Sequence, residues 1–350
     1  MYRLLCICLC SSMLAIVAGC ARTEAPIWRT VPVGDSRLVT AEPRESRELE
    51  ALAEVLVEKA VEERGSGLVK RSEVWVTIID ARDPRDPRMG SYQGDELVYP
   101  ASVAKLPYLV TAMDLVWTRR LVLDKPLKAD LMRMIVDSDN VATNAVLDRI
   151  SNTGYGPTLG PAAMESFVAK RQLTTRYMES LGFEDIKASN KTFSEEVPFY
   201  GRDVASLGDR KGDNYENSNM MSTDDTARLL YLIWNRSVVA PEACDRMLEL
   251  MLRGEESTTF FSSIVPEGVT LYSKDGYAGP CRHDAGIFVL PDGRPIIVVA
   301  FSKFRVPKKI SAEPPRVIER IAELALEELQ KTPGELDNAS RDRIPGSSNR

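Results

Sequence analysis

Runs of β-branched residues lie near both ends of this chain, and nothing resembling them lies between. One is Glu73-Val-Trp-Val-Thr-Ile-Ile-Asp80, and a second group falls at residues 269–274, 285–290 and 295–303. Val, Ile and Thr side chains fit a pleated, half-buried surface, so these runs read as strands. The long stretch between them shows helical spacing or loop chemistry. Strands at both ends with helices between imply a sheet built from both ends, with the helical block inserted into it. The fold class expected is therefore α+β.

The remaining elements follow from periodicity and punctuation. Residues 46–64 carry Leu49, Leu52, Leu56 and Ala60 on one helical face, with glutamates elsewhere. The duplicated Asp-Pro-Arg at 83–88, followed by Met89-Gly90, is turn chemistry, and residues 91–99 read as a returning strand. Helices are expected at 103–119, 126–136, 141–150, 161–181, 223–235 and 241–253. Pro107 falls in the first turn of its helix, where a missing N–H is tolerated. Residues 184–222 hold Pro198, Gly201, Gly208 and Gly212 with many charges and no period, which marks a long loop. Pro291-Asp292-Gly293 is a turn, and residues 314–329 form a last amphipathic helix with Val317, Ile321 and Leu324 on one face.

At 350 residues, 44% hydrophobic and 27% charged, the chain has the material for one large domain or two small ones. A net charge of −6 without a basic stripe argues against a nucleic-acid partner. The first residues differ in kind. Arg3 precedes the apolar run 4–17, which is short for a membrane span, and Ala18-Gly19-Cys20 follows. Residues 1–19 are read as a secretory signal of the bacterial lipoprotein type, with Cys20 as the lipidated N-terminus; the plainer alternative is an ordinary signal with an incidental cysteine. Residues 20–45 read as a tether, 46–332 as the globular domain and 333–350 as a disordered tail. The domain divides into a sheet region, 46–101 with 266–332, and a helical region, 102–265. Export to the cell envelope leaves Cys244 and Cys281, as one disulfide or as two separate buried thiols.

The chemistry gathers around Tyr99-Pro-Ala-Ser-Val-Ala-Lys105. Ser102 and Lys105 are three apart, and on a helix such residues share a face. A serine hydroxyl needs a base beside it, and a lysine serves only if burial or another cation destabilises its ammonium. The apolar segment 106–117 would supply the burial. Two further motifs follow in order: Ser138-Asp139-Asn140 between two helices, and Lys274-Asp275-Gly276 at the end of a strand.

Ser-x-x-Lys, then Ser-Asp-Asn, then a Lys-x-Gly strand resembles the motif set of class A β-lactamases and penicillin-binding proteins. The resemblance covers about residues 46–330. Asn140-Val-Ala-Thr-Asn144 continues as a helix, as in that family. The resemblance implies an antiparallel sheet of about five strands flanked by the N- and C-terminal helices. It also implies roles. Ser102 would attack an amide carbonyl and be acylated, Lys105 would accept its proton, and Ser138 would relay a proton to the leaving nitrogen. Lys274 would hold the Ser138 hydroxyl and depress Lys105 by like charge. Asn140 would hold the acyl side chain or Lys105. The backbone N–H groups of Ser102 and Tyr277 would form the oxyanion hole beside Gly276. Arg282 would meet a substrate carboxylate in a fork, or serve only in a surface salt bridge. No metal and no cofactor is implied, and the only histidine, His283, reads as structural or rim.

Two departures bear on function. Asp275 stands where the family has a hydroxyl that helps bind a substrate carboxylate, and an aspartate there repels one unless it is protonated or paired with Arg282. The family's Glu-x-x-Leu-Asn motif for the deacylating base is absent, although Glu195, Glu196 and Glu216 are available. The reading that follows is an exported, lipid-anchored, monomeric serine hydrolase that opens β-lactam-type amides. The alternatives are a D-alanyl-D-alanine peptidase or slowly deacylating penicillin-binding protein, and a non-catalytic envelope protein that binds peptidoglycan peptides.

Overall fold

The order of elements is β1 (Arg44–Glu45), α1 (Arg47–Arg64), β2 (Val74–Asp80), β3 (Arg88–Tyr92), α2 (Lys105–Trp117), α3 (Lys125–Ile135), α4 (Asn140–Ser151), α5 (Pro161–Arg171), α6 (Leu173–Ser180), β4 (Ile186–Lys187), α7 (Arg202–Ala205), β5 (Arg210–Lys211), β6 (Asn214–Tyr215), β7 (Met220–Met221), α8 (Thr223–Trp234), α9 (Pro241–Met251), β8 (Leu252–Arg253), β9 (Thr270–Ala278), β10 (Cys281–Val289), β11 (Pro295–Lys303) and α10 (Val317–Gln330). The computed structural model describes residues 42–194, 199–306 and 314–330. The readings made at residues 1–41, at Glu195 and Glu196, and at 333–350 lie outside the described residues.

Strands from both ends of the chain meet in one sheet, in the order β1-β3-β2-β11-β10-β9-β8. All neighbours run antiparallel except β1 beside β3. Alternation divides each central strand between two cores. On β2 and β11, Val74, Val76, Ile78, Ile296, Val298 and Ala300 face a layer made by α1 and α10, whose Leu49, Leu56, Ile321 and Leu324 join the same cluster. Trp75, Ile79, Ile297, Val299 and Phe301 face the helical block, with Leu109 of α2 and Leu230 of α8. α8 is anchored to the sheet by polar contacts as well: Thr77 Oγ1 lies 2.8 Å from Thr223 Oγ1 and 2.6 Å from the Asp224 carboxylate.

The elements depart from their sequence-based bounds for identifiable reasons. The sheet has seven strands, not about five, because β1 and β8 are two-residue pairings too short to show a period. β3 begins at Arg88 rather than 91, since Arg88 pairs with Asp80 in the ladder and its guanidinium reaches the Asp80 carboxylate at 2.9 Å. It stops at Tyr92, where Gln93 turns into the left-handed region at φ 55°. The helix expected over 161–181 is interrupted at Gln172, giving α5 and α6. β9 and β10 are longer than the apolar runs that announced them, reaching Ala278 and starting at Cys281. Lys274, Asp275, His283 and Asp284 broke the hydrophobic pattern there, yet all four sit in the ladder. Cys244 and Cys281 are separate buried thiols.

Candidate active site

Ser102 lies in a 3₁₀ turn, Ala101–Ala104, that leads directly into α2. The backbone N–H of Lys105 donates to the Ser102 carbonyl, so the two residues are one tight turn apart. In that geometry residues i and i+3 lie on one face, although among the described residues no hydrogen bond joins the Ser102 hydroxyl to the Lys105 amine. The turn is entered through strain: Ala101 sits at φ 48°, where a Cβ is unfavourable. Ser102 is part-buried, between fully covered Val103 and nearly covered Ala101.

The Lys105 side chain is wholly buried. Its Nζ donates to the Ser138 carbonyl at 2.6 Å, to Ser138 Oγ at 3.1 Å and to Asn140 Oδ1 at 2.8 Å. All three acceptors are neutral. Burial, then the like charge of Lys274, lowers its pKa to about 7. Ser138 is presented by a second strained residue conformation, φ 55°, just before Asp139 caps α4 by accepting from Ala142 N at 2.8 Å. Arg133 holds the other Asp139 oxygen at 2.7 Å, so this carboxylate has its own partners, and its charge raises Lys105 less than Lys274 lowers it.

β9 forms the opposite wall. A Cβ on Gly276 would stand 2.7 Å from the Pro100 carbonyl and 3.0 Å from the Ser102 nitrogen, so only glycine lets the strand pass this close to the Ser102 turn. Tyr277, next along, is exposed. Lys274 is fully buried, and its Nζ donates to the Asp275 carboxylate at 2.7 Å and the Asp275 carbonyl at 2.8 Å. Burial pulls Lys274 down; burial pushes Asp275 up, but the adjacent ammonium outweighs it and keeps that carboxyl below its usual range. The expected contact from Lys274 to the Ser138 hydroxyl is thus replaced by an ion pair with its own neighbour, while its like-charge effect on Lys105 is present.

Arg282 is not free for a ligand. Its guanidinium forks onto Glu319 of α10 and lies 3.7 Å from the centroid of the Phe260 ring. The carboxylate partner expected from substrate is supplied by the chain itself. Nor does Arg282 pair with Asp275. Across the ladder from Asp275 stands Asp284, which accepts from Phe261 N at 2.8 Å. Burial, with the Asp275 charge second, pushes Asp284 up to about 7.

Residues that sequence reasoning left aside complete the site. His283 Nδ1 accepts from Ser302 N at 3.1 Å, so the ring proton is on Nε2, which donates to the Tyr99 carbonyl at 3.0 Å. The imidazole thereby pins the segment just ahead of the strained Ala101. Burial lowers its pKa to about 4, so it stays neutral. Asn140 Nδ2 donates to the Phe193 carbonyl at 2.7 Å, and Asn144 clasps Thr192 from both sides, N to Oδ1 at 2.8 Å and Nδ2 to O at 2.9 Å. The i, i+4 spacing of Asn140 and Asn144 was the available signal for this shared face. Behind that loop, Lys191 and Arg171 are buried against Asp148 and Asp203. Glu216 pairs with Lys211 on the exposed β5–β6 hairpin. Among the described residues, no carboxylate hydrogen-bonds to Lys105, Ser138 or Asn140.

A model of the Beta-lactamase enzyme family matches residues 126–329. That span contains the second and third motifs and begins after Ser102. Among solved structures, a PBP-A mutant held as an acyl-enzyme complex with penicillin G is 19% identical, with a TM-score of 0.56 over 82% of this chain and 99% of that one. The beta-lactamase of Sphaerobacter thermophilus is 18% identical, with a TM-score of 0.57 over 79% and 98%. A beta-lactamase from Chitinophaga pinensis is 20% identical, with a TM-score of 0.56 over 78% and 99%. Likeness at these identities speaks to the fold. No curated protein matches the sequence.

Proposed function

Because this chain belongs to the beta-lactamase enzyme family, we propose that it is an acyl-transferring serine hydrolase with Ser102 as nucleophile and Lys105 as base. The observation that carries this reading is the buried Lys105 amine, bonded to neutral oxygens of Ser138 and Asn140 and titrating near neutrality. With a pKa of about 7 the amine is in good part unprotonated at physiological pH, keeping two N–H donors for the Ser138 carbonyl and Asn140 while the Ser138 hydroxyl turns to donate to its lone pair; an ordinary lysine stays an ammonium.

In the proposed reaction Ser102 Oγ bonds to the carbonyl carbon of a β-lactam-type amide as its proton passes to Lys105 Nζ. Charge that builds on the carbonyl oxygen is met by the backbone N–H groups of Ser102 and Tyr277. The C–N bond then breaks, and the proton travels from Lys105 through the Ser138 hydroxyl to the leaving nitrogen. The 3.1 Å contact between Lys105 Nζ and Ser138 Oγ supports that route. An acyl ester on Ser102 remains, and water must release it.

That release favours a second reading, a slowly turning over penicillin-binding protein. The loop segment clasped by Asn140 and Asn144 brings Thr192 and Phe193 to this side of the site, and neither can act as a base toward water. Intact-protein mass spectra followed in time after a β-lactam pulse separate the cases. Mass gained and lost means hydrolysis; mass gained and kept means slow release. No gain at high ligand, or a gain that survives Ser102→Ala, sinks the nucleophile assignment. We also propose export and lipid attachment at Cys20, on the strength of residues 1–20 alone; loss of fatty-acid labelling in Cys20→Ala is the test.

A further inference from the structure

Gly276, His283, Phe301 and Trp75 stand directly opposite one another on β9, β10, β11 and β2. Residues opposed in a ladder point to one face of the sheet, so the four form a row across it. Trp75 and Phe301 place that face against the helical block. The row meets residues 96–102 at three points. Trp75 Nε1 donates to the Glu96 carboxylate at 2.7 Å, His283 Nε2 donates to the Tyr99 carbonyl at 3.0 Å, and Gly276 leaves room for Pro100 and the Ser102 nitrogen.

This segment is constrained at both ends and strained in the middle. Upstream, Val98 and Met221 exchange backbone bonds of 3.0 and 2.9 Å. Downstream, Val103 N donates to the Pro100 carbonyl at 3.1 Å and closes the turn that carries Ser102. Between them Ala101 adopts φ 48°, a conformation that persists only where the surroundings impose it. Among the described residues, the partner of the Tyr99 carbonyl is the His283 ring. That ring is fully buried, lies 4.6 Å from the Phe301 ring and accepts at Nδ1 from Ser302 N at 3.1 Å. One nitrogen thus anchors the imidazole to its own sheet, and the other donates to the segment three residues ahead of Ser102.

We infer that His283 is a positioning residue: through the Tyr99 carbonyl it holds residues 99–102 against β9 and β10 and so maintains the strained turn that presents Ser102. Its effect on reactivity rests on the assignment of Ser102 as nucleophile; its effect on the turn does not.

His283→Gln and His283→Asn separate this bond from mere filling of the core. Glutamine extends as far as Nε2 and can still donate to Tyr99, whereas asparagine extends only as far as Nδ1 and can still accept from Ser302. Two readouts are taken: hydrogen exchange at the amides of residues 101–105, and acylation of Ser102 by penicillin G, followed by intact mass over a range of ligand concentrations. In His283→Asn, exchange should quicken about tenfold or more. Its maximal acylation rate should fall about tenfold to a hundredfold while the half-saturating concentration holds, as for a displaced nucleophile. In His283→Gln both readouts should stay within about threefold of wild type. The inference falls if the two variants match each other in exchange, or if the asparagine variant matches wild type. Faster exchange with an unchanged acylation rate overturns it as well. If exchange differs as expected but the wild type forms no adduct, His283 still positions the turn and the acyl-transfer reading is discarded.

Discussion

The site crevice and the buried charge cluster beneath the neighbouring loop each hold two covered cations, and they part at one of them: Lys274 of the crevice is paired with Asp275, whereas Lys105 hydrogen-bonds to no carboxylate. In the cluster, Arg171 lies 2.6 Å from Asp148 and 2.8 Å from Asp203, and Lys191 lies 2.8 Å from Asp148. Two cations face two carboxylates, and the Lys191 ammonium also rests 3.0 Å from the centroid of the Tyr155 ring. Burial pulls Lys191 downward and pushes Asp203 upward, but each has an opposite charge at hand that pulls the other way. In the crevice, Lys105 hydrogen-bonds only to carbonyl, hydroxyl and amide oxygens, and the charge that acts on it most strongly is another cation, Lys274, with Asp275 and Asp139 pulling less strongly the other way. A paired buried charge holds a loop in place. An unpaired one gives up its proton more readily, as the proposed role of Lys105 requires. The cluster and the crevice are one residue apart in sequence at the loop, since Lys191 precedes the Thr192 that Asn144 clasps.

The contrast breaks most visibly at Lys105. Lys105→Met should slow Ser102 acylation about a thousandfold, the range lost with a general base, while thermal stability stays level or rises because a buried polar group has gone. Wild-type acylation should climb with pH to a plateau above about 7, where the amine is unprotonated, and the climb should vanish in the variant. A flat wild-type profile would contradict a lysine base.

On the cluster side the expected effect is structural. Asp203→Ala leaves Arg171 and Lys191 sharing one carboxylate, and an uncompensated buried charge costs about 3–5 kcal/mol. Urea unfolding should show that loss. If Lys105→Met were as damaging as Asp203→Ala, the two regions would not differ as described.

His283 links the crevice to solution pH through stability. Its folded pKa of about 4 lies below the ordinary value of 6.5, so the unfolded chain binds the proton more readily. Its contribution is complete above pH 6.5 and is lost as pH falls toward 4, up to roughly 3 kcal/mol. Replacing His283 with glutamine should flatten that part of the stability profile, and an unchanged slope would refute the assignment. The smallest effect is expected at Ala101. Glycine there relieves the φ 48° strain and should stabilise by about 1 kcal/mol, while loosening the Ser102 turn and slowing acylation.

The sequence by itself determined the layout. β-branched runs at the two ends and helical spacing between them place the sheet and the inserted helices, because apolar period is a local property of the chain. It also put Ser102, Lys105, Ser138, Asn140 and Lys274 in order as a motif set. Only the tertiary structure decided which charges meet. Arg282 turns to Glu319, Lys274 closes on Asp275, and Asp284 comes to face Asp275, since each depends on the register of β10 against β9 and on where α10 docks. The state of the Lys105 amine belongs to the same category: it follows from what surrounds it in space, since Ser138 and Asn140 reach it when α4 packs beside α2, and Lys274 acts on it only when the sheet closes against the helical block.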